Sequence, residues 1–472
     1  MKPVKKLIAA AAVLACVLNA GAASAAGVEQ SVLSDDTLRF YGTWKAKYLT
    51  EDPYTDSIQY FVRYGEETND DGSVNVTVSE AHGYGMLITA CMAEYDADAK
   101  KIFDGMYQFY RSHPSENGKN LMAWQQADTG SAIINVSGAD SATDGDMDIA
   151  YALLLADQIW GSDGEINYRS AAVDVINDIM EYEVNKTDWI LQLGDWAVWS
   201  DENDPFYAAT RASDFIVQYM PGFAEAAEDD RWLNVYDSTY DIINSFTAQN
   251  GTGLLPDFII KDAATGEFVA APPNFLESDY DGYYYYNSCR TPWRISMDYL
   301  VNGNEDAAAF AKTVTAFIKE STNDDPWEIM AGYQPDGTAV EDYNDLCFTA
   351  PFLVAASCTD DAAWHDSVRD TVINYGDDVY YGDTIKMLCL IADDGGWLVP
   401  DASTSEEPDT SPSEEPDPNP VYTLQDIKNL QDHLLCRPAA EDLTGKPYDL
   451  NNDGVWDVFD LALMKRECQS AQ

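Results

Sequence analysis

The chain has 472 residues and a formal net charge of −55, from 27 Lys and Arg against 82 Asp and Glu. This charge argues against a nucleic-acid partner, because basic side chains must neutralise the phosphates, and it also disfavours anionic membrane surfaces. It supports solubility but says nothing direct about catalysis.

The first 25 residues predict a secretory signal peptide. Residues 1–6 are basic, an apolar run follows from Leu7 to about Val17, and Ala23-Ser24-Ala25 is a small-residue cleavage site. The apolar run is too short to cross a membrane stably. We therefore expect a secreted, extracellular protein with no membrane partner.

A mainly helical pattern runs through the larger part of the chain. Apolar residues recur three or four positions apart in residues 146–160, as on one face of a helix. Thr143 and Asp144 just before this segment are potential N-caps, and Ser79 takes the same place before the apolar run 84–91. About ten to twelve such segments, with few alternating strand patterns, predict an all-α fold of paired helices in a closed ring.

A linker divides the chain. Residues 401–420 read DASTSEEPDTSPSEEPDPNP, a composition that cannot bury a core and that stays extended. We therefore predict a large domain at 27–400 and a small one at 421–472. Seven cysteines remain after the signal peptide and none forms a C-x-x-C pair, so we expect no zinc site and interpret most of them as small buried apolar residues.

Two carboxylate-bearing segments precede predicted helices. Residues 79–86 read Ser-Glu-Ala-His-Gly-Tyr-Gly-Met, and residues 142–150 read Ala-Thr-Asp-Gly-Asp-Met-Asp-Ile-Ala. The first resembles the S-E-x-x-G-Y-G-M segment of glycoside hydrolase family 8, and the second resembles that family's signature A-T-D-[AG]-D-x-x-I-A. Further similar segments follow in the family's order, so the resemblance covers essentially residues 30–400: 121–124, 211–215, 289–294, 332–337 and 381–383.

The resemblance implies an (α/α)6 barrel with a long cleft and an inverting mechanism on β-1,4-linked polysaccharides. Such a mechanism uses one protonated and one ionised carboxyl group, roughly 6.5–9.5 Å apart. By carry-over Glu80 is the general acid, and Asp144 binds and helps to distort the sugar, with a base role also open to it. Because a helix N-terminus lowers the pKa of a nearby carboxyl, burial must raise that of Glu80 if it is the acid. Asp146 and Asp148 are interpreted as structural.

The chain departs from the family at the position of the base. Residues 286–290 read Tyr-Asn-Ser-Cys-Arg, where many members have Y-D-A-[CS]-R. An amide cannot take a proton from water, although Asn287 could still orient the water through its carbonyl oxygen. A subgroup with asparagine here is associated with licheninase and endoglucanase activity. The base is left open among nearby carboxylates: Glu277, Asp279, Asp281 and Asp144.

Aromatic side chains beside these segments are candidate sugar platforms, about half of which we expect to be core. They are Trp124, Trp196, Tyr286, Trp293 and Tyr343. Arg290 is a candidate substrate-binding residue, and Arg290 and Arg294 are also expected to hold the acidic cleft by ion pairs.

Residues 449–460 form a twelve-residue calcium-loop pattern with Gly454 at the turn. The predicted Ca2+ ligands are Asp449, Asn451, Asp453, the carbonyl of Val455, Asp457 and Asp460. With the helix that follows, this loop resembles a dockerin, an EF-hand-like module, whose first repeat at 415–426 is degenerate here. The resemblance implies calcium-dependent folding and a cohesin partner on a scaffolding protein, contacted by Val458 and Phe459.

These patterns together favour a secreted, inverting endo-β-glucanase that acts on cellulose or mixed-linkage glucan. Xylan and chitosan are alternative substrates within the family. A second hypothesis, from another class, is a catalytically weak glycan-binding subunit that lacks its base. We expect a monomeric catalytic domain that needs no cofactor for catalysis.

Overall fold

The computed structural model describes residues 33–199, 204–376 and 379–400. The predicted signal peptide 1–25, linker 401–420 and calcium-binding module 421–472 lie outside these residues and stay predictions. The chain divides into the units Met1–Ala402 and Ser403–Gln472, and all described residues belong to the first.

Twelve α-helices dominate the described residues. They are α1 Asp35–Tyr48, α2 Ser79–Cys91, α3 Ala99–Ser112, α4 Thr143–Trp160, α5 Tyr168–Tyr182, α6 Met220–Ala226, α7 Arg231–Asn250, α8 Thr291–Asn302, α9 Glu305–Ser321, α10 Leu346–Ser357, α11 Ala362–Asn374 and α12 Tyr380–Asp393.

The helices form an inner and an outer ring. The inner ring runs from α2 to α4, then through α6 and the 3-10 turns 212–214 and 217–219 to α8, α10 and α12, and α12 packs back on α2 to close it. Each inner helix packs against one outer neighbour: α2 on α3, α4 on α5, α6 on α7, α8 on α9, α10 on α11 and α12 on α1. This is the arrangement of an (α/α)6 barrel, in agreement with the sequence-based expectation.

Side-chain patterns explain which helices lie inside. In α10, which reads LCFTAPFLVAAS, every residue except the last is buried. The outer helix α3, which reads AKKIFDGMYQFYRS, buries only one face, and its lysines and arginine lie outside that face. The core therefore fills the barrel interior and the space between the two rings.

Eleven short strands lie in the connections between helices: β1 Leu49–Glu51, β2 Tyr60–Val62, β3 Glu67–Thr68, β4 Val74–Val78, β5 Gln125–Asp128, β6 Ile133–Asn135, β7 Val184–Asn185, β8 Ile190–Leu191, β9 Ala209–Arg211, β10 Phe258–Lys261 and β11 Phe268–Ala270. All pairings are antiparallel, and the two larger sheets have the orders β3-β4-β5-β6 and β11-β10-β9. Strand β4 ends at Val78, directly before α2, so its pairing with β5 fixes where that helix begins.

The predicted N-caps are wrong by one or two positions. The N-cap of α4 is Ala142 and that of α2 is Val78, and neither side chain makes a capping hydrogen bond. Thr143 instead donates its hydroxyl to the carbonyl of Gln192. Asp144 and Glu80 therefore lie inside the first helical turn, and neither side chain acts as a helix cap.

The five described cysteines are free thiols: Cys91, Cys289, Cys347, Cys358 and Cys389. Within the three described ranges, no helix combines the length and the apolar content needed to cross a membrane. The same ranges contain no cluster of three or more His, Cys, Asp or Glu that could hold a metal ion.

Candidate active site

The first turns of the inner helices meet at one end of the barrel. Glu80 is the second residue of α2, Asp144 the second of α4, Arg290 the N-cap of α8 and Tyr380 the first residue of α12. Hydrogen bonds join all four side chains into one cluster. The loops and short sheets before these helices form its surroundings.

Two glycines let α2 and α4 approach closely enough to place Glu80 beside Asp144. A Cβ added at Gly145 would lie 2.6 Å from the carbonyl carbon of Ser79, and one at Gly83 would lie 2.9 Å from the carbonyl oxygen of Gly145. Both distances are too short for any side chain. The glycines of the two family segments are thus explained by the crossing of the helices.

Arg290 links the two carboxyl groups. Its Nη1 lies 2.7 Å from Oε2 of Glu80 and 2.9 Å from Oδ2 of Asp144. The guanidinium is only 2 % exposed, so the expected ion pairs are present but the prediction of a direct sugar contact by Arg290 is wrong. Arg211, from the segment before the turn 212–214, adds a second cation 3.5 Å from Asp144.

Burial raises the pKa of the Glu80 carboxyl above its usual value, and the nearby Asp144 carboxylate raises it further against the opposing effect of Arg290. Burial is the largest of these effects, and it shifts the pKa in the direction that the acid role requires. The side chain is still 18 % exposed, and the hydroxyl of Tyr380 donates to its Oε1 at 3.0 Å. Glu80 is thus a positioned, reachable carboxyl group with a raised pKa.

Asp144 has the opposite character. Burial opposes its ionisation, but Arg211 and Arg290 outweigh that effect and hold the pKa of Asp144 below its usual value. Its pKa and that of Glu80 are therefore shifted in opposite directions, a pattern that assigns different tasks to neighbouring carboxyl groups. Because Asp144 is ionised and ion-paired, it is suited to hold a sugar or stabilise positive charge.

Asn287 connects Arg290 to a further carboxylate. Its Oδ1 accepts from Nη2 of Arg290 at 3.2 Å, and its Nδ2 donates to Oε2 of Glu277 at 2.9 Å. Arg290 uses one lone pair of the amide oxygen, and the second lone pair remains able to accept from a water molecule. Glu277 is exposed. The carboxylate next to the usual base position therefore belongs to Glu277.

Asp281 is wrong as a base candidate. It is buried, and its two oxygens accept the backbone N–H groups of Leu276 at 2.7 Å, Glu277 at 3.0 Å and Ser278 at 2.8 Å. The hydroxyl of Ser278 also donates to Oδ1 at 3.3 Å, so four donors occupy the four lone pairs of this carboxylate. Asp281 instead shapes the loop that presents Glu277.

A further buried carboxyl group, that of Asp257, holds the backbone around Asn287. Asp257 accepts the backbone N–H groups of Tyr285, Asn287 and Ser288 and the hydroxyl of Ser288. Burial raises the pKa of Asp257 to about 6. Sequence reasoning missed this residue because it follows an apolar strand-like run with no motif around it.

The candidate platforms divide into surface and core. The backbone carbonyl of Trp124 accepts the N–H of Ser79 at 2.9 Å, and its half-exposed indole donates to the carbonyl of Ser137 at 3.0 Å. The hydroxyl groups of Tyr286 and Tyr343 share a hydrogen bond of 3.2 Å, and Tyr343 is 45 % exposed. Trp196 is half-buried against Phe206.

Trp293 is wrong as a sugar platform. Its indole is fully buried, packs near Tyr84 and Trp397, and lies under the guanidinium of Arg294 at 4.1 Å. It follows directly after the site turn 288–290, and nothing in the sequence tells an inward-facing tryptophan from an outward-facing one there.

Asp146 and Asp148 are buried below the site and make structural contacts. Asp146 accepts the N–H of Met122 at 2.8 Å. Asp148 pairs with Arg294 in the barrel interior and also accepts the hydroxyl of Tyr219 at 2.9 Å. Arg211 and Tyr380, which contact the two site carboxyls, were not assigned a role from the sequence, although Arg211 begins the family-like segment 211–215 and Tyr380 directly precedes the segment 381–383.

Comparison with known proteins agrees with this geometry. Residues 11–395 match the family model for Glycosyl hydrolases family 8, and the chain belongs to this family of glycoside hydrolases. As a family 8 enzyme it needs no cofactor for catalysis.

Three proteins show the extent of the similarity. The chain is 43 % identical over 373 residues to a beta-glucanase of Niallia circulans, which covers 78 % of this chain and 87 % of the relative. It is 41 % identical to a solved beta-1,3-1,4-glucanase from Paenibacillus sp. X4, with a TM-score of 0.71 over 80 % of this chain and 96 % of that one. An endoglucanase C of Ruminiclostridium cellulolyticum is 26 % identical over 453 residues, 94 % of this chain and 82 % of the relative.

Proposed function

We propose that the protein is an inverting endo-β-glucanase that cleaves β-1,4 bonds in cellulose or mixed-linkage glucan. The observation that carries this proposal is the carboxyl pair at the helix crossing, linked by Arg290, in which the pKa of Glu80 is raised and that of Asp144 is lowered. The names of the two relatives above 40 % identity support a β-glucan as the substrate.

In this proposal Glu80 gives its proton to the leaving glycosidic oxygen. Tyr380 and Arg290 hold its two carboxyl oxygens, so the proton is presented in a fixed direction. Ionised Asp144 binds the sugar at the cleavage point and stabilises the positive charge that develops on its ring.

Glu277 takes the role of base. Its carboxylate is exposed to water and is joined through Asn287 and Arg290 to the same cluster as Glu80. A water activated by Glu277 attacks the anomeric carbon from the face opposite to Glu80, which inverts the configuration. Asn287 positions this carboxylate rather than replacing it.

The test is turnover on a panel of soluble polysaccharides. We expect the full chain to release reducing ends from mixed-linkage β-glucan and carboxymethyl cellulose faster than from xylan or chitosan. NMR recorded immediately after mixing should show the α anomer of the new reducing end first. Preferential cleavage of xylan or chitosan would reassign the substrate, and a β anomer at first appearance would exclude inversion.

The alternative of another class is a glycan-binding subunit without turnover. It would bind β-glucan in affinity electrophoresis and release no reducing ends. Glu277 is the observation against it, because the residue offers a carboxylate next to the asparagine at the usual base position.

We also propose that the protein is secreted and attached to a scaffolding protein through its C-terminal module. The support is the signal-peptide pattern of residues 1–25 and the calcium-loop pattern of residues 449–460. The similarity to the R. cellulolyticum endoglucanase over 94 % of this chain extends well beyond the catalytic domain. We expect the full chain to bind an immobilised cohesin in Ca2+ and to be released by a chelator, and binding that persists in chelator would contradict the proposal.

A further inference from the structure

An exposed aromatic pair lies outside the acid cluster. Trp327 is 47 % exposed and stacks on Tyr375, with ring centroids 5.5 Å apart and an interplanar angle of 17°. One face of the indole is therefore covered by a second aromatic ring, and the other face is turned to water. A large apolar surface in this position gains free energy when a ligand covers it.

The indole is held in a rigid turn. Pro326 and Ile329 on either side are buried, and Oδ1 of Asp325 accepts the N–H of Trp327 at 3.0 Å. The side-chain amide of Asn344 donates to the carbonyl of Ile329 at 2.7 Å. A platform that is already ordered loses little conformational entropy when it binds a ligand.

The pair is connected to the cleft through Asn344. The hydroxyl of Tyr375 donates to the carbonyl of Asn344 at 3.1 Å. The chain neighbours of Asn344 are Tyr343 and Asp345, and the hydroxyl of Tyr286 contacts both, at 3.2 Å and 3.0 Å. Tyr286 directly precedes Asn287, so a chain of contacts through Tyr286, Tyr343 and the backbone of Asn344 links the cluster to the aromatic pair.

We propose that Trp327 and Tyr375 form a further binding site for a β-glucan chain, outside the cleavage point and connected through Asn344 to Tyr343 and Tyr286. Pyranose rings have apolar C–H faces that stack on an indole, and their hydroxyl groups can donate to the exposed carboxylate of Glu328 beside it. The site holds a polymer that extends beyond the cleft, whereas a short oligosaccharide bound across Glu80 does not reach it. This inference rests on the proposed β-glucanase function.

The experiment compares Trp327→Ala, Trp327→Phe and a control, Tyr299→Ala. Tyr299 is 37 % exposed and lies nine positions along the chain from Arg290, towards the far end of α8. Each variant is assayed on mixed-linkage β-glucan and on a cello-oligosaccharide of four glucose units. Thermal unfolding is recorded for all of them.

For Trp327→Ala we expect KM on the polymer to rise about three- to tenfold with kcat unchanged, because one aromatic stacking contact is lost. Its kinetics on the short oligosaccharide should equal those of the unmodified protein. Trp327→Phe should recover most of the polymer KM, and Tyr299→Ala should change neither substrate.

Two results would overturn the inference: an unchanged polymer KM in Trp327→Ala, or an equal loss on polymer and oligosaccharide, which would show a general structural effect. If the unmodified protein cleaves no β-glucan, the proposed function itself is wrong. Failure of the proposed function can therefore be distinguished from failure of this inference.

Discussion

The Nη1 atom of Arg290 lies 2.7 Å from Oε2 of Glu80, in a place where burial raises the pKa of that carboxyl. A cation this close lowers the pKa, whereas burial, which is the largest effect, and the neighbouring Asp144 carboxylate raise it. The pKa of the acid therefore depends on its burial and on both charged neighbours.

The first prediction concerns the acid itself. Glu80→Gln keeps an oxygen and an NH2 for the contacts to Arg290 and Tyr380 but has no proton of suitable pKa to give. We expect kcat on β-glucan to fall by about 10²- to 10⁴-fold, the usual contribution of general acid catalysis. An aryl β-glycoside with a good leaving group should lose much less, since that group departs without a proton. Near-normal polymer hydrolysis by a folded Glu80→Gln variant would exclude the assignment.

The second prediction concerns pH. Activity falls as pH rises through the pKa of Glu80, because the acid must be protonated. In Asp144→Asn the neighbouring negative charge is gone and Arg290 is less neutralised, so the pKa of Glu80 drops. We expect the basic limb of the kcat/KM profile to move to lower pH, on top of any loss in rate. The control Asp241→Asn, exposed on α7, should leave the basic limb in place. A basic limb that does not move in Asp144→Asn would contradict the effect of the Asp144 charge on the pKa of Glu80.

The third prediction tests the base. Glu277→Gln should lose about 10²- to 10⁴-fold in kcat while it keeps the hydrogen-bonding capacity towards Asn287. Glu277→Ala should regain activity with azide and give an α-glycosyl azide, since the small anion attacks from the side of the missing carboxylate. Asp279→Asn, the exposed neighbour in the same loop, is the control and should stay within about twofold. If Glu277→Gln is active and Asp279→Asn is not, the base is Asp279.

The fourth prediction concerns stability below the site. Burial, and then the nearby Asp146 carboxyl, raises the pKa of Glu183 well above its usual value. One oxygen of Glu183 accepts the hydroxyl of Ser141, and burial also raises the pKa of Asp146. Asp195 lies near both. The protonated pair is therefore favoured in the folded state.

The free energy of unfolding should therefore fall as pH rises. The stabilisation from the raised pKa of Glu183 is fully present below the pKa of this group in the unfolded chain, 4.5, and it is lost as pH rises through the pKa of the same group in the folded protein. Glu183→Gln cannot ionise, so its free energy of unfolding should decrease less between about pH 5 and pH 8 than that of the unmodified protein, by about 1.4 kcal/mol per unit of pKa shift removed. Urea unfolding at several pH values measures this, with the exposed Glu320→Gln as control. Parallel pH profiles would show that Glu183 does not carry the effect.

The sequence predicted the helical class, the ring and the two principal carboxyl groups, since helix periodicity and family segments depend on local patterns. It could not separate Asp281 from Glu277, because both lie in one acidic loop. Only the fold shows that the backbone N–H groups of residues 276–278 bind the carboxylate of Asp281. The prediction of Trp293 as a sugar platform was wrong for a related reason, since the direction of one side chain after a turn depends on the packing of the whole barrel. The short strands carry too few residues for a period of two to be visible.

Gly83 and Gly145 have no reactive side chain, yet a side chain at either position would force α2 and α4 apart. The displaced helices would separate Glu80 from Asp144 even if every reactive residue were kept. Mutational tolerance at this crossing should therefore be as low as at the acid itself, and a scan of all substitutions at the two glycines would yield inactive proteins. Adaptation to other glycans then has to arise in the connecting loops, where Glu277, Tyr286 and Trp327 are carried, while the crossing of the two helices stays constant.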